Sequence, residues 1–288
     1  MKKVLFLVLF TYSLNCISQN PNNRSQASSD IQFYFGKKEF IPATVQLSNG
    51  KTLLGEVQDF DSPNVVEIRD FGFKPSDLEN DVNYNRKKIR FRKNATDESI
   101  QIPADSINYI THFDTETKEI KEFKRLKILK TKNNGEIEET DRVVFLPLIK
   151  KDSINFYGYN MELQGKYVRT VFYLNNSKDN LAINPLDFSM SDLFKNQDRI
   201  AQEVVNAVKI VTKDCPEFQK TLDQKMTITE EMKKDAMQRY NKMQSDVNEG
   251  KKKLKTKKEK KQFEGDVFAN YYLEPFVILT ESYKTTCK

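Results

Sequence analysis

VQLSNGKTLLGEV, residues 45–57, is the stretch that decides the fold, because it places a hairpin signal between two segments of strand-like composition. Asn49-Gly50 is a dipeptide favoured in tight β-hairpin turns, since both residue types tolerate the positive φ that such turns require. The stretch therefore predicts a hairpin between strands Ala43–Leu47 and Thr52–Val57.

Short alternating segments between turn residues continue on both sides of this hairpin, over residues 31–188. The further strand candidates are Val65–Ile68, Lys88–Arg92, Ser99–Ile102, Ile107–Phe113, Phe123–Leu129, Val143–Leu148, Tyr167–Leu174 and Leu181–Ile183. Their number and irregular spacing predict an antiparallel β-rich module, built as a twisted sheet or a small open barrel.

The apolar period changes to 3.6 residues in the next part of the chain, which predicts a small helical module over residues 189–250. One apolar stripe ends at Val211, and Pro216 is placed to begin another helix, because proline is tolerated at the first helical position. A lysine-rich segment follows at residues 251–262. The aromatic and β-branched tail, residues 263–288, is expected to pack as a strand or a short helix. The predicted fold class is α+β.

The first residues have the layout of a secretory signal peptide. Lys2 and Lys3 precede the apolar run Val4–Phe10, which is too short to cross a bilayer, and a polar stretch with small residues follows. This pattern predicts a signal peptide over residues 1–18. Residues 19–30 are polar throughout and predict a flexible linker. We therefore expect the protein to be exported, to the periplasm or outside the cell.

The three cysteines divide between the signal peptide and the remainder of the chain. Cys16 is expected to leave with the signal peptide. A lipid anchor on Cys16 is the less favoured alternative, because Ser13 and Asn15 fit a lipoprotein signal poorly. Cys215 and Cys287 remain as an even pair, which in an oxidising compartment either forms a disulfide or stays as one buried and one terminal thiol.

Positive charge is concentrated in one segment. Residues 251–261 hold eight lysines and one glutamate, so they carry +7, while the rest of a chain cut after Ser18 carries −3 within a total of +4. These lysines are the candidate contacts to a polyanion: Lys251, Lys252, Lys253, Lys255, Lys257, Lys258, Lys260 and Lys261. Lipid phosphate and acidic polysaccharide are the partners that such a run would attract. The alternative is a solvated linker or helix face. Nucleic acid is not expected, because the run lacks arginine and interleaved aromatic residues.

No catalytic or cofactor signature stands out. His112 is the only histidine, and it forms the sole candidate nucleophilic pair with Cys215 although they lie in different predicted modules. One histidine and two distant cysteines do not supply a structural zinc site. The acidic residues between Glu136 and Asp141 are interpreted as a solvated hairpin tip. We expect no cofactor and no metal, and we assign no catalytic residue.

Two short pieces resemble a known group of proteins. Val45-Gln-Leu-Ser-Asn-Gly-Lys-Thr-Leu-Leu-Gly-Glu-Val57 is similar to the opening of exported bacterial envelope proteins of unknown function, and Lys213-Asp-Cys-Pro-Glu-Phe218 resembles the break between helices found late in some of them. The resemblance implies an exported β-module with a helical C-terminal part, and it carries no activity.

The function expected from these observations is that of a non-enzymatic envelope or secreted interaction protein. The alternative is a hydrolase of envelope glycan or protein that uses carboxylates not identifiable from the sequence. A cleft that holds two carboxylates would favour the hydrolase, and an open face without a polar pocket would favour the binding protein.

Overall fold

The structure is a computed structural model, and it describes residues 32–33, 40–58, 65–68, 88–113, 120–132, 136–163, 166–187, 197–222 and 230–287. The predicted signal peptide and linker lie outside these ranges. Among the helices that the structure describes, none is both long and apolar enough to span a membrane.

Strands occupy the N-terminal part of the described chain and helices the C-terminal part, so the α+β prediction is confirmed. The strands are β1 Gln32–Phe33, β2 Ile41–Leu47, β3 Thr52–Gln58, β4 Val65–Ile68, β5 Lys88–Arg92, β6 Ile100–Pro103, β7 Ile107–Phe113, β8 Ile120–Thr131, β9 Ile137–Lys150, β10 Ile154–Leu163, β11 Lys166–Asn176 and β12 Leu181–Ile183. The helices are α1 Gln197–Val211, α2 Pro216–Leu222, α3 Glu230–Lys253 and α4 Lys257–Thr286.

The first half of the sheet grows from the predicted hairpin, which is confirmed. β2 and β3 pair antiparallel on either side of Asn49-Gly50, and Gly50 adopts a φ of 83°. β5 and β6 continue the sheet beyond β3, and a 3₁₀ turn at Ala104–Ser106 returns the chain so that β7 pairs with the other edge of β2. These strands enclose a core formed mainly by Val45, Val57, Ile89, Phe91, Ile102, Ile107, Ile110, Phe123 and Phe145.

Gly55 explains the glycine in the quoted stretch. A Cβ at this position would lie 2.3 Å from the carbonyl oxygen of Arg92 and 2.7 Å from Cζ of Phe91. Only a residue without a side chain allows β5 to approach β3 this closely. The stretch therefore encodes both the turn and the curvature of the sheet that follows it.

Five strands of the second half form a closed ring in the order β8-β9-β10-β11-β12. The ring closes where β12 pairs in parallel with β8, while the other pairs in the ring are antiparallel. Its interior is filled by Leu126, Ile128, Val144, Leu146, Tyr157, Tyr159, Met161, Val171, Tyr173 and Ala182. β8 belongs to both halves, because its N-terminal part pairs with β7 and its C-terminal part with β12.

Three helices cover the outside of the ring. α1, α2 and the C-terminal half of α4 share one core with the outward-facing residues of the ring, which include Phe156, Phe172 and Leu174 from the strands. Phe276 of α4 meets Phe172 edge to face, with ring centroids 4.7 Å apart. α2 begins at Pro216, as predicted.

The prediction that the tail packs as a strand or a short helix is wrong about the type and length of the element. The tail does pack against the ring, but its residues 263–286 belong to the 30-residue helix α4, which begins at Lys257 inside the lysine-rich segment. The β-branched pair Val277-Ile278 and Pro275 in the helix interior favoured a strand or a short helix on local propensity. Burial of Leu273, Phe276 and Leu279 against the ring overrides that preference.

Candidate functional site

α3 and α4 form an antiparallel hairpin, and the lysine run forms its tip. Lys251, Lys252 and Lys253 are the last residues of α3, Lys255 lies in the short connection, and the remaining four lysines, Lys257, Lys258, Lys260 and Lys261, occupy the first turns of α4. The side chains of Lys257, Lys258 and Lys261 lie outside the described set. Lysines at the end of α3 also complement the negative end of that helix dipole.

The single acidic residue of the run is committed to capping α4. Thr256 and Glu259 form a capping box, in which the Glu259 carboxylate accepts a hydrogen bond of 2.8 Å from the Thr256 backbone N–H and the Thr256 side chain accepts from the Glu259 backbone N–H. The hydrogen bonds from Thr256 lower the pKa of Glu259. This geometry turns the carboxylate toward the backbone, and the eight lysines around it leave the run with a net charge of +7.

The lysine tip of the hairpin lies on the N-terminal side of the contact between α4 and β10. Gly265 of α4 lies against Asn160 of β10, since a Cβ on this glycine would be 3.1 Å from the Asn160 amide nitrogen. Lys257 is eight residues earlier, which is about 12 Å along a helix. Lys252, Lys253 and Lys255 are exposed, and none of these three has an ion-pair or hydrogen-bond partner for its side chain in the described part of the chain. Lys251 pairs with Glu264 at 2.6 Å.

The other end of α4 is clamped to the ring. Cys287 is joined to Cys215, at the start of α2, by a disulfide with a Cα–Cα distance of 5.9 Å. Beside it, the Tyr283 hydroxyl donates a 2.7 Å hydrogen bond to the Asp214 carboxylate. Lys178, in the turn between β11 and β12, pairs with the same carboxylate at 2.6 Å. One helix end is therefore held covalently and by polar contacts, while the opposite end carries the lysines.

The polar contacts around Asp214 shift the pKa values of the groups that form them. Partial burial opposes ionisation of Asp214, but the hydrogen bonds from Lys178 and Tyr283 outweigh it and lower the pKa of this carboxyl. Burial, followed by the bond to Asp214, raises the pKa of Tyr283. The hydrogen bond to Asp214 raises the pKa of Lys178. These groups therefore stabilise the charged Asp214–Lys178 pair at neutral pH.

A buried lysine that the sequence interpretation missed lies at one end of the ring. Lys124 is 2% exposed, and its ammonium donates hydrogen bonds to Asn175 Oδ1 at 3.1 Å and to the Asp179 carbonyl at 2.7 Å. Burial lowers the pKa of Lys124, and the charges of Asp179 and Glu122 oppose that effect. The alternation of side chains along a strand could have predicted this burial, because Lys124 lies two residues from Leu126 and so points to the same, inward face of β8.

The remaining candidates for chemistry lie apart from one another. His112 stacks on Phe123 with ring centroids 5.3 Å apart, whereas the sulfur of Cys215 is bonded to Cys287, so these two residues do not form a nucleophilic pair. Glu139, from the acidic stretch, pairs with Lys127 at 2.5 Å on an exposed part of the β8–β9 ladder.

Neither a metal site nor a similar protein points to a function for this chain. Within the described ranges, no group of three or more histidine, cysteine, aspartate or glutamate side chains is arranged to hold a metal ion. In comparisons with protein families, curated proteins and solved structures, nothing matches this chain.

Proposed function

We propose that this is an exported, non-enzymatic binding protein that contacts an anionic envelope surface through the tip of its helical hairpin. One observation carries the proposal: the turn between α3 and α4 brings together eight lysines and a single acidic residue, Glu259, which caps α4. Local charge of one sign at the turn between two helices favours contact with a flat, dense array of phosphates. The resemblance to exported envelope proteins agrees with this location.

Export itself rests on the signal-peptide pattern of residues 1–18, and the Cys215–Cys287 bond is of the kind that persists in oxidising compartments. Mass spectrometry of the protein from its native cell should find an N-terminus at or near Gln19. An intact Met1 in the cytosolic fraction would contradict export. A lipid on Cys16 would replace the free product with an anchored one.

The surface contact is tested by co-sedimentation with phosphatidylglycerol vesicles at low salt. Lys252→Gln, Lys253→Gln and Lys255→Gln together should weaken binding roughly a hundredfold, because each lysine near an anionic surface contributes about 1 kcal/mol. The matched control replaces three exposed lysines elsewhere, Lys130, Lys132 and Lys220, with glutamine. The control changes the net charge equally and should bind as the unmodified protein does.

Salt and lipid composition complete the test. Binding should fall steeply as salt is raised, because screening acts over about 10 Å at 0.1 M ionic strength. Phosphatidylcholine vesicles should not bind. If the tip and control variants lose binding equally, the contact is not located at the tip. Binding to acidic polysaccharide without binding to vesicles would transfer the proposal to that partner, and binding to neither would refute it.

The hydrolase alternative would require two carboxylates free to act on a substrate. Asp246 and Glu274 line one groove, described below, but Glu274 forms an ion pair with Arg239. An engaged carboxylate beside three cationic side chains suits ligand binding better than acid–base work on a glycosidic bond. The groove therefore favours the binding-protein proposal.

A further inference from the structure

A groove separates α3 from α4 on the side that faces the end of β9. Its volume is about 440 Å³, within the range of about 300–1,000 Å³ typical of small-molecule sites. α3 contributes residues at the spacing of one helix face, Arg239, Lys242, Met243 and Asp246, and α4 contributes a matching face that includes Asn270 and Tyr271. Lys150 closes one end from β9.

The lining of the groove divides into an apolar part and a charged part. Met243, Val267, Leu273 and Val277 supply apolar surface, and Met243 and Leu273 belong to the buried core. Three cationic side chains and two carboxylates line the same groove. Arg239 and Glu274 form an ion pair, and the Arg239 guanidinium lies 6.0 Å from the centroid of the Tyr271 ring, so this pair is held in place.

The remaining charges are available to a ligand. Lys150 and Lys242 are exposed, and neither has an ion-pair or hydrogen-bond partner for its side chain in the described part of the chain. With three cationic side chains and two carboxylates in its lining, the groove carries a net charge of +1. A ligand that matches this lining has one negative charge and an apolar body.

We infer that the groove binds a monocarboxylate with an aliphatic chain, in the manner of a fatty acid. The carboxylate pairs with Lys150 or Lys242, and the chain covers the apolar surface formed by Met243, Val267 and Val277. This inference does not depend on the proposed function, because Lys242 is nine residues from Lys251, which is roughly 14 Å along α3. Failure of vesicle binding would leave it intact.

Isothermal titration calorimetry with decanoate tests the inference on the full mature chain. Decanoate should bind with a one-to-one stoichiometry, whereas decanol, which has the same chain without the charge, and acetate, which has the charge without the chain, should each bind at least about tenfold more weakly. The double variant Lys150→Gln/Lys242→Gln should weaken decanoate binding about tenfold and leave decanol binding unchanged, because exposed ion pairs contribute up to about 1 kcal/mol each.

The matched control is Lys130→Gln/Lys132→Gln, which removes two exposed lysines outside the groove and should keep the affinity of the unmodified protein. Circular dichroism verifies that each variant is folded. Equal affinity for decanol and decanoate, an unchanged affinity in the groove variant, or the absence of saturable decanoate binding would each overturn the inference. The first comparison needs no variant, so a folding defect does not obscure the result.

Discussion

Removal of the Cys215–Cys287 bond tests how the C-terminal helix is held. The two cysteines are 72 residues apart in sequence. In the chain-entropy description, a cross-link that closes a loop of that length stabilises the folded state by about 4 kcal/mol, because it restricts the unfolded chain. Single domains are stable by only about 5–15 kcal/mol, so the loss is a large share of the total. With a urea m value of about 3 kcal/mol/M, the unfolding midpoint should fall by about 1.3 M.

Cys287→Ala is the variant that isolates this effect. It breaks the bond while keeping the Cys215 side chain, which is 6% exposed and belongs to the core. Urea unfolding followed by far-UV circular dichroism gives the free energy of unfolding for the variant and for the unmodified protein. The unmodified protein in the presence of reductant should match the variant, and Cys215→Ala should cost slightly more because it also removes core volume.

The folded state of the variant should still hold α4 against the ring. The Tyr283–Asp214 hydrogen bond and the packing of Phe276 do not depend on the disulfide. Hydrogen exchange should therefore accelerate only in the last turns of the helix. A loss of stability below about 1 kcal/mol, or complete alkylation of both cysteines in the native protein without reductant, would refute the reasoning.

Four further variants test individual contacts. Gly55→Ala should lower the free energy of unfolding by about 3 kcal/mol through overpacking against β5, whereas Gly50→Ala, with open space around its Cβ, should cost about 1 kcal/mol from the positive φ alone; equal urea midpoints for the two would contradict the close approach. Tyr283→Phe should cost about 1.5 kcal/mol at neutral pH, since it removes a hydrogen bond to a carboxylate. The carboxylate that accepts this bond belongs to Asp214, whose pKa is lowered in the folded state. The stability that the bond contributes is therefore present above about pH 4 and is lost as the pH falls further. The variant should differ least from the unmodified protein in acid. Burial lowers the pKa of Lys124, so its ammonium destabilises the folded state at neutral pH, and this cost is relieved as the pH rises toward 10.5. The stability of Lys124→Met relative to the unmodified protein should therefore fall over that interval. A difference that does not change with pH would show that Lys124 does not cause this pH dependence.

Local signals predicted the parts of the fold that depend on local chemistry. Asn49-Gly50 and Pro216 act through their own backbone preferences, and the structure has a turn and a helix start at those positions. Strand β10 was missed because its residues 154–159 are buried on both faces: Tyr157 points into the ring and Phe156 packs under the helices, so no alternation is visible. Ring closure by β12 joins segments distant in sequence, and no local pattern reports such a contact.

Of the two candidate sites, one is visible in the local sequence and the other depends on contacts between distant segments. The lysine run is visible as composition, but its position at the turn between α3 and α4 depends on where Thr256 begins the second helix. The groove could not be predicted, because Lys150 and Lys242 come from a strand end and a helix 92 positions apart in the numbering. Only the packing of α3 beside α4 brings them together.

The short strand β12 also determines where the ring can open. It contributes three residues, which form three pairs with β8 and a single register pair with β11, whereas β10 and β11 are joined along most of their length. Strand separation with the least loss of hydrogen bonds therefore begins at β12, which acts as the seam of the ring. Opening at the seam admits water to Tyr157, Tyr159 and Tyr173, and because the chain has no tryptophan, tyrosine fluorescence would report that event without interference from a stronger fluorophore.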